Sequence, residues 1–455
     1  MRKSVRNVLT VVLAMCACLS ATERQPNAAY RARREALAAK AKGLVVLFAP
    51  TEASTGDAIY GFRQDENFYY LTGISDPGAA LVIAAAAEAT ANAPARAYTE
   101  ILFFPAQNAL QEKWTGPKLN PNTSNVTGIT GFDRVQQIDT MRDEIAKLTA
   151  GGASVYTELA PKAPSAEPLE WLKRANAFTT ARLQELRPLM GQLRTIKDAG
   201  EMDLIRKSTD ASTAAHAAVM KFMKPNRTER EVAALFQYEF SRRGCERPAY
   251  APIVGAGFWG TVLHYSENSN SIADGDLVVM DVAGEYSMYA SDITRTLPAN
   301  GKFTARQKEI YEIVLGAQKA AEDAFKVGVS TMRGPNGLHE VAAKYINTHG
   351  QDKNGQPLGQ YFIHGLGHGV GLNVHDPGDG QPFRSGSVFT IEPGIYLPEE
   401  KLGVRIEDMY WVSPEGKLVK LSANLPSTVE EIEKVMAAAN APAPAPAAAK
   451  DKKKK

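Results

Sequence analysis

A short glycine-rich stretch concentrates histidines in a chain that has few of them. Residues 361–378 read YFIHGLGHGVGLNVHDPG and hold His364, His368 and His375, three of the seven histidines in 455 residues. Imidazole is the commonest nitrogen ligand of metals and the commonest acid–base group near neutral pH. The intervening glycines allow the backbone to approach other groups closely. The cluster indicates a metal or acid–base site rather than an ordinary turn.

Two aspartates eleven residues apart follow an apolar run in the sequence LVVMDVAGEYSMYASDITRT. A hairpin turning about Tyr286 and Ser287 would place Asp281 directly opposite Asp292, with their Cβ atoms about 4.5–5.5 Å apart. Two carboxylates this close repel each other unless a cation or a proton lies between them. Asp281 also ends an apolar run, where an unpaired charge is costly. A divalent metal ion would resolve both problems.

Two further strand-like runs deliver carboxylates, VFTIE ending at Glu392 and GVRIE ending at Glu407. In a strand, Arg405 shares a face with Glu407, so it could orient that carboxylate or bind a carboxylate of the substrate. Several carboxylates with one or two imidazoles form an oxygen-rich site that suits hard divalent ions. More ligands than one ion needs indicate a two-metal centre, which is an apparatus for hydrolysis.

The order of these motifs resembles that of aminopeptidase P and prolidase, the proline-specific members of the pita-bread metallopeptidases. The matching segments are LHYSEN at His264, D-x10-DITRT, HGLGH-x6-HD, IEPGIY and VRIED. The segments YGFRQDENFYYLTG and EKWTG near the N-terminus are similar to the creatinase-type N-terminal domain of aminopeptidase P. The resemblance implies a peptidase that removes the N-terminal residue from peptides with proline in second position. Prolidase, which cleaves only Xaa-Pro dipeptides, is the alternative.

The resemblance also assigns roles to individual residues. It implies five metal ligands: Asp281, Asp292, His368, Glu392 and Glu407. Asp292 and Glu407 would bridge two ions, Asp281 would bind one, and His368 with Glu392 would bind the other. Manganese is the ion that the resemblance favours, with cobalt or zinc also suitable. A metal-free relative of the same fold need not keep all five ligands, and creatinase-type chemistry lacks the carboxylate set.

Catalytic and substrate-binding residues follow from the same resemblance. The catalytic set is His264, His364, His375, Glu392 and Arg405, with Glu392 as the proton acceptor. Trp114 and Tyr396 would bind substrate, and Trp114 resembles a residue that closes the pocket of a neighbouring subunit. The resemblance therefore implies a homo-oligomer, a dimer or a tetramer.

The elements that must position these residues fall into two domains. Alternating strands and helices predict an α/β domain over residues 25–182, and long helices interleaved with strands predict an α+β domain over residues 183–437, the pita-bread catalytic domain. The remaining tail, residues 438–455, is rich in Pro, Ala and Lys and is expected to be disordered. A formal net charge of +2 argues against a nucleic-acid partner.

The first 21 residues have the layout of a signal peptide, with a basic start, a short apolar run and small residues near Ala21. The apolar run is shorter than the roughly 20 residues of a spanning helix. Cleavage near Ala21 would leave a mature protein without a membrane span, and an uncleaved anchor is the alternative. Export, most simply to the periplasm, is the expectation, and lipid attachment at Cys18 is a weaker alternative. Cleavage would leave Cys245 as the sole cysteine, so no internal disulfide is expected.

Overall fold

The computed structural model describes residues 22–52, 59–89, 95–149, 153–159 and 183–440. The predicted signal peptide, residues 1–21, and most of the predicted tail, residues 441–455, lie outside the described residues. The last helix, Val429–Asn440, runs three residues into the predicted tail. None of the helices in the described ranges has the length and hydropathy needed to cross a membrane.

The N-terminal part is built on a six-stranded mixed sheet with the order β4-β3-β2-β1-β5-β6. Its central strands are apolar runs buried on both faces, which is why they lack the alternating pattern of a half-exposed sheet. The strands are β1 Leu44–Phe48, β2 Ala80–Ala84, β3 Thr99–Phe104, β4 Val135–Gln137, β5 Val155–Thr157 and β6 Leu183–Glu185. Strand β6 extends this sheet three residues past the boundary that the sequence predicts.

Helices in the N-terminal part are short apart from the first. They are Asn27–Ala41, Glu66–Thr72, Glu112–Thr115, Val126–Thr130 and Met141–Thr149, with a 3-10 turn at Ile138–Thr140. The spacing of the apolar residues Ile138, Met141, Ile145 and Leu148 predicts one helix from residue 131 to 148. The structure instead places β4 and the 3-10 turn before a helix of nine residues. The expected α/β organisation is nevertheless confirmed.

The C-terminal part contains small sheets surrounded by long helices, which confirms the expected α+β organisation. The sheets have the orders β11-β10-β7, β12-β9-β8, β13-β16-β17 and β14-β15. Their strands are β7 Arg247–Pro248, β8 Ile253–Ala256, β9 Leu277–Asp281, β10 Gly284–Tyr286, β11 Tyr289–Ala290, β12 Thr294–Pro298, β13 Val388–Ile391, β14 Gly394–Leu397, β15 Leu402–Arg405, β16 Asp408–Val412 and β17 Leu418–Lys420. The helices are Arg187–Arg194, Ala199–Phe222, Glu229–Ser241, Ala305–Ala324, Leu338–Thr348 and Val429–Asn440, with 3-10 turns at Gly257–Thr261, Leu358–Tyr361 and Pro398–Glu400.

Local sequence signals fix the starts of the long helices. Thr228 accepts a hydrogen bond from the backbone N–H of Glu231, and the Glu231 carboxylate accepts one from the N–H of Thr228, which together form a capping box. Asp198 and Glu201 form the same arrangement before the helix Ala199–Phe222. These caps satisfy backbone donors that a helix leaves unpaired at its start.

The hairpin that carries the two aspartates has a different register from the predicted one. Tyr286 pairs with Tyr289, and Asp281 pairs with Thr294 rather than with Asp292. The turn is formed by Ser287 and Met288, which both have positive φ, at 49° and 72°. The Glu246 carboxylate accepts from the Ser287 N–H and so stabilises a turn that the sequence does not signal. The prediction of directly facing aspartates was therefore wrong by two residues.

Candidate metal centre and active site

All five predicted ligands converge, and each is held by a strand end or by the histidine stretch. Oxygen or nitrogen donor atoms of Asp292, His368 and Glu407 lie within 4.8 Å of one another. His368 Nε2 is 3.3 Å from Glu392 Oε1 and 3.4 Å from Asp292 Oδ2. Asp281, at the end of β9, joins the group through a shared hydrogen-bond partner. The structure thus brings together side chains that are up to 126 residues apart, counted from Asp281 to Glu407.

That shared partner is Tyr250, which sequence reasoning missed. Its hydroxyl lies 2.5 Å from Asp281 Oδ1 and 2.5 Å from Asp292 Oδ1. A hydroxyl has one proton and can donate to only one of these carboxylates at a time. Tyr250 therefore keeps the two carboxylates close together despite the register shift. It stands alone in GCERPAYAP, three residues before β8, and no motif in the sequence marks it.

The group has more negative charge than its surroundings neutralise. Burial, followed by the charge of Asp281, raises the pKa of Asp292 to about 7. Burial and the Asp292 carboxylate raise the pKa of Glu407 well above its ordinary value, and Glu407 Oε1 is buried with no hydrogen-bond partner among the described residues. A buried acceptor without a partner costs free energy, and a cation at this position would recover it.

His368 responds to the same excess of negative charge. Burial acts to lower its pKa, but hydrogen bonds to Asp292 and Glu392 outweigh burial and raise the pKa to about 11. A protonated imidazole would therefore offset part of this negative charge. The donor set of four carboxylates and one imidazole fits hard divalent ions, so the residues present fit a metal centre.

Arg405 contributes to this centre by holding Asp281. Its guanidinium donates to Asp281 Oδ2 at 2.8 Å and to the Tyr396 hydroxyl at 2.8 Å. Its Nε donates to Thr294 Oγ1, and Thr294 in turn donates to Glu407 Oε2 at 2.7 Å. The expectation that Arg405 contacts Glu407 directly is thus replaced by contact through Thr294. The predicted strand that joins them is also interrupted, because β15 ends at Arg405 and β16 begins after Glu407.

Four imidazoles border one cavity of about 370 Å³ beside the carboxylates. His264, His364 and His375 all border it, as do His368 and Glu392. The ring of His375 lies 3.9 Å from that of His368, centroid to centroid. Burial and the His368 charge lower the pKa of His375. The three histidines that are predicted to be catalytic therefore border the same cavity.

His364 is oriented by hydrogen bonds at both ring nitrogens. Nδ1 is 2.8 Å from the carbonyl of Gly365, so it must donate, and Nε2 accepts from the Tyr396 hydroxyl at 2.9 Å. Burial lowers the pKa of His364, and it raises that of Tyr396 to about 12. Tyr396 is nearly fully buried, so its position behind His364 and Arg405 supports these residues. Tyr396 is not among the described residues that line the cavity, so its predicted contact with substrate stays a prediction.

The space beside the glycines of HGLGH is filled by other residues of the chain and not left open for substrate. A Cβ on Gly367 would lie 2.1 Å from the Thr390 carbonyl oxygen, so only glycine lets the stretch pack against β13. The His368 N–H donates to Thr390 Oγ1, and the Thr390 N–H donates to the His368 carbonyl. This pairing fixes His368 beside Glu392, two residues farther along the chain than Thr390.

Trp114 lies apart from this cavity within one chain. It belongs to the short helix Glu112–Thr115, and its side chain is 82% exposed. Trp114 is not among the described residues that line the cavity, and its contact with the pocket of a neighbouring subunit stays a prediction.

Comparison with known proteins accounts for both parts of the chain. Residues 203–414 match the family model Metallopeptidase family M24, and residues 30–156 match Aminopeptidase P, N-terminal domain. The chain is 32% identical over 418 residues to Xaa-Pro aminopeptidase of Haemophilus influenzae, covering 86% of this chain and 93% of that protein. The chain belongs to metallopeptidase family M24. It is therefore a hydrolase that acts on peptides with the aid of divalent metal ions.

Solved structures agree with this membership and confirm the pita-bread fold. Proline aminopeptidase P II from Yersinia pestis has a TM-score of 0.80 and 29% identity, covering 91% of this chain and all of that chain. A putative aminopeptidase P from Bacillus anthracis has a TM-score of 0.81 and 28% identity, covering 91% of this chain and 99% of that chain. All five predicted ligands fall within the M24 match.

Proposed function

We propose that this M24 member is an Xaa-Pro aminopeptidase with a two-metal centre, which releases the N-terminal residue from peptides whose second residue is proline. The observation that carries the proposal is the convergence of Asp292, His368 and Glu407 beside Asp281 and Glu392 in a cavity bordered by imidazoles. Relatives named Xaa-Pro aminopeptidase in Haemophilus influenzae and Escherichia coli, matched over 93% and 98% of their lengths, support the specificity.

Two ions are proposed because five ligands exceed what one ion needs. Asp292 and Glu407 would bridge, Asp281 would complete one site, and His368 with Glu392 would complete the other. The ions, when bound, would polarise the scissile carbonyl and lower the pKa of the attacking water. Manganese is proposed because the donor set is rich in oxygen. A zinc-substituted Escherichia coli aminopeptidase P is also among the similar structures, at 28% identity.

The protein's own groups move protons around that reaction. Glu392 would accept a proton from the attacking water as oxygen bonds to the carbonyl carbon. The proline nitrogen carries no hydrogen in the substrate, so it must receive a proton before it can leave as an amine. His364 and His375 border the cavity, and their lowered pKa values favour the neutral imidazole, which can take up a proton during the reaction and pass it to that nitrogen.

Export and oligomer formation complete the proposal. The signal-like N-terminus supports export to the periplasm, with lipid attachment at Cys18 as the alternative. The exposure of the Trp114 indole leaves it free to close the pocket of a neighbouring subunit, as the family resemblance implies, and we therefore propose a homo-oligomer.

Substrate length separates this proposal from prolidase. The manganese-loaded protein should hydrolyse Ala-Pro-Ala with a kcat/KM well above that for the dipeptide Ala-Pro, and it should leave Ala-Ala-Ala nearly untouched. Release of free alanine, followed by chromatography, measures all three. Turnover of the dipeptide alone would exclude the aminopeptidase and establish the prolidase instead.

A further inference from the structure

One arginine that borders the active-site cavity has no role in the metal centre. Arg333 lines the same cavity as His264, His364 and Arg405, and it comes from the segment between the helices Ala305–Ala324 and Leu338–Thr348. Among the described residues, no carboxylate lies within 4.0 Å of its guanidinium and no hydrogen-bond acceptor is assigned to it. A cation at the edge of a substrate cavity without a protein partner is available to a ligand.

The other arginine of the cavity is already engaged. Arg405 is buried, and its guanidinium donates to Asp281, Tyr396, Thr294 and the Leu263 carbonyl. Releasing it to a substrate carboxylate would leave Asp281 without its ion pair next to other carboxylates. The sequence-based option that Arg405 binds a substrate carboxylate is therefore poorly supported by these contacts, and Arg333 is the cation left for that task.

The position of Arg333 is fixed by the backbone on both sides. Thr331 bridges to Gly337, and the N–H groups of Leu338 and His339 donate to the carbonyls of Thr331 and Met332. The Thr331 hydroxyl donates to the Arg333 carbonyl at 2.9 Å. The Arg333 side chain is exposed, but these hydrogen bonds hold its backbone in place.

Arg333 and its neighbour pack directly onto the glycines of HGLGH. A Cβ on Gly365 would lie 3.2 Å from Arg333 Nη2, and a Cβ on Gly367 would lie 3.0 Å from Met332 Cε. The guanidinium therefore rests against the backbone next to His364, a residue of the reaction cavity. This contact gives the positive charge a defined place at the mouth of the site.

Charge balance explains why such a group is needed. The cavity contains Asp281 and Glu392, with Asp292 and Glu407 just behind, so a peptide carboxylate that enters it is repelled until metal and surrounding cations compensate. Guanidinium binds carboxylate through two parallel N–H donors, which also sets the orientation of the peptide.

We propose that Arg333 binds the C-terminal carboxylate of short peptide substrates and thereby makes the enzyme prefer peptides that end close to the scissile bond. This inference rests on the proposed Xaa-Pro aminopeptidase activity and defines its substrate class as short peptides with a free C-terminus.

The test compares Ala-Pro-Ala with its C-terminal amide, which has the same shape but no charge. The wild-type enzyme should prefer the acid by about ten-fold in kcat/KM, as expected for one charge-assisted contact. Arg333→Gln should bring the acid-to-amide ratio close to one, chiefly by raising KM for the acid. Arg333→Lys should restore part of the preference, because it keeps the charge but loses the paired donors.

The matched control is Arg142→Gln, which alters an exposed arginine of the N-terminal part and should leave the ratio unchanged. An unchanged ratio in Arg333→Gln would overturn the assignment. If the wild-type protein hydrolyses neither peptide, the proposed activity fails instead. Calorimetric binding of the same two peptides to wild type and Arg333→Gln then decides the role of Arg333 independently, since equal affinities for the acid would refute it.

Discussion

At the scale of single residues, the candidate active site has two components. One is a set of carboxylates whose negative charge calls for a cation, and the other is the Tyr250 hydroxyl, which holds two of these carboxylates together. Asp281, Asp292 and Glu407 are each held by a neutral or positive partner, namely Arg405, Tyr250 and Thr294. Asp281, Glu392 and Glu407 could be singled out from sequence because each ends a strand-like run, where an unpaired charge is costly. The full set of ligands is what the family resemblance implies. Tyr250 could not be predicted, since a lone tyrosine gives no signal of what its hydroxyl contacts.

Removal of the Tyr250 hydroxyl tests this arrangement. Tyr250→Phe should keep the fold but weaken metal affinity or activity by about 10–100-fold, the usual effect of losing a partner of metal ligands. Titration of metal into the stripped variant, with activity as the readout, measures the change. Tyr238→Phe, which alters an exposed tyrosine on the helix Glu229–Ser241, is the control. If Tyr250→Phe binds metal and turns over substrate like the wild type, the hydrogen bonds of the Tyr250 hydroxyl to Asp281 and Asp292 do not contribute to function.

At the scale of elements, the histidine stretch depends on its pairing with β13. The Glu392 N–H donates to the Leu366 carbonyl. The Thr390 N–H donates to the His368 carbonyl, and the His368 N–H donates to the Thr390 hydroxyl oxygen. The sequence indicates that the histidines and Glu392 belong to one site, but it gives no register for the pairing. The hairpin of Asp281 shows the same limit, because the positive φ of Met288 is unusual for a side chain of its size.

Gly367→Ala tests the element directly. The new methyl group would meet the Thr390 carbonyl, so the stretch must move away from β13, at a cost of about 1–3 kcal/mol of stability. His368 would move with it, so kcat/KM should fall by more than the loss of folded protein alone would explain. Gly378→Ala is the control, because a Cβ there meets no atom within 4 Å. Chemical denaturation and kcat/KM for Ala-Pro-Ala compare the two variants, and equal behaviour would contradict the proposed packing.

At the scale of the whole molecule, the two parts of the chain are joined by buried charges close to the active site. Asp376, which follows His375, accepts hydrogen bonds from Arg194 and Lys197, and Arg194 also donates to Asn67 of the N-terminal part. Burial acts to raise the pKa of Asp376, but the two cations outweigh it and lower the pKa. The order of the α/β and α+β parts could be predicted from the way strand-like and helix-like segments follow one another along the chain. This junction could not, because its members lie up to 309 residues apart, from Asn67 to Asp376.

Loss of the central carboxylate should therefore destabilise the whole protein. Asp376→Ala leaves two buried cations without their partner and should lower the free energy of unfolding by about 3–5 kcal/mol. Asp323→Ala is the matched control, because it removes only an exposed pair with Lys319 and should cost less than about 1 kcal/mol. Denaturant unfolding, followed by circular dichroism, measures both. Similar losses in the two variants would show that the junction does not stabilise the chain.

The most direct test of the account is metal dependence of peptide hydrolysis, measured on one preparation before and after chelation. The stripped protein should not release alanine from Ala-Pro-Ala, and adding about two manganese ions per chain should restore turnover. Asp292→Ala should remain folded and stay inactive with manganese, because it lacks a carboxylate that is proposed to bridge the two ions. Turnover that persists in protein shown by elemental analysis to be free of metal would contradict the account.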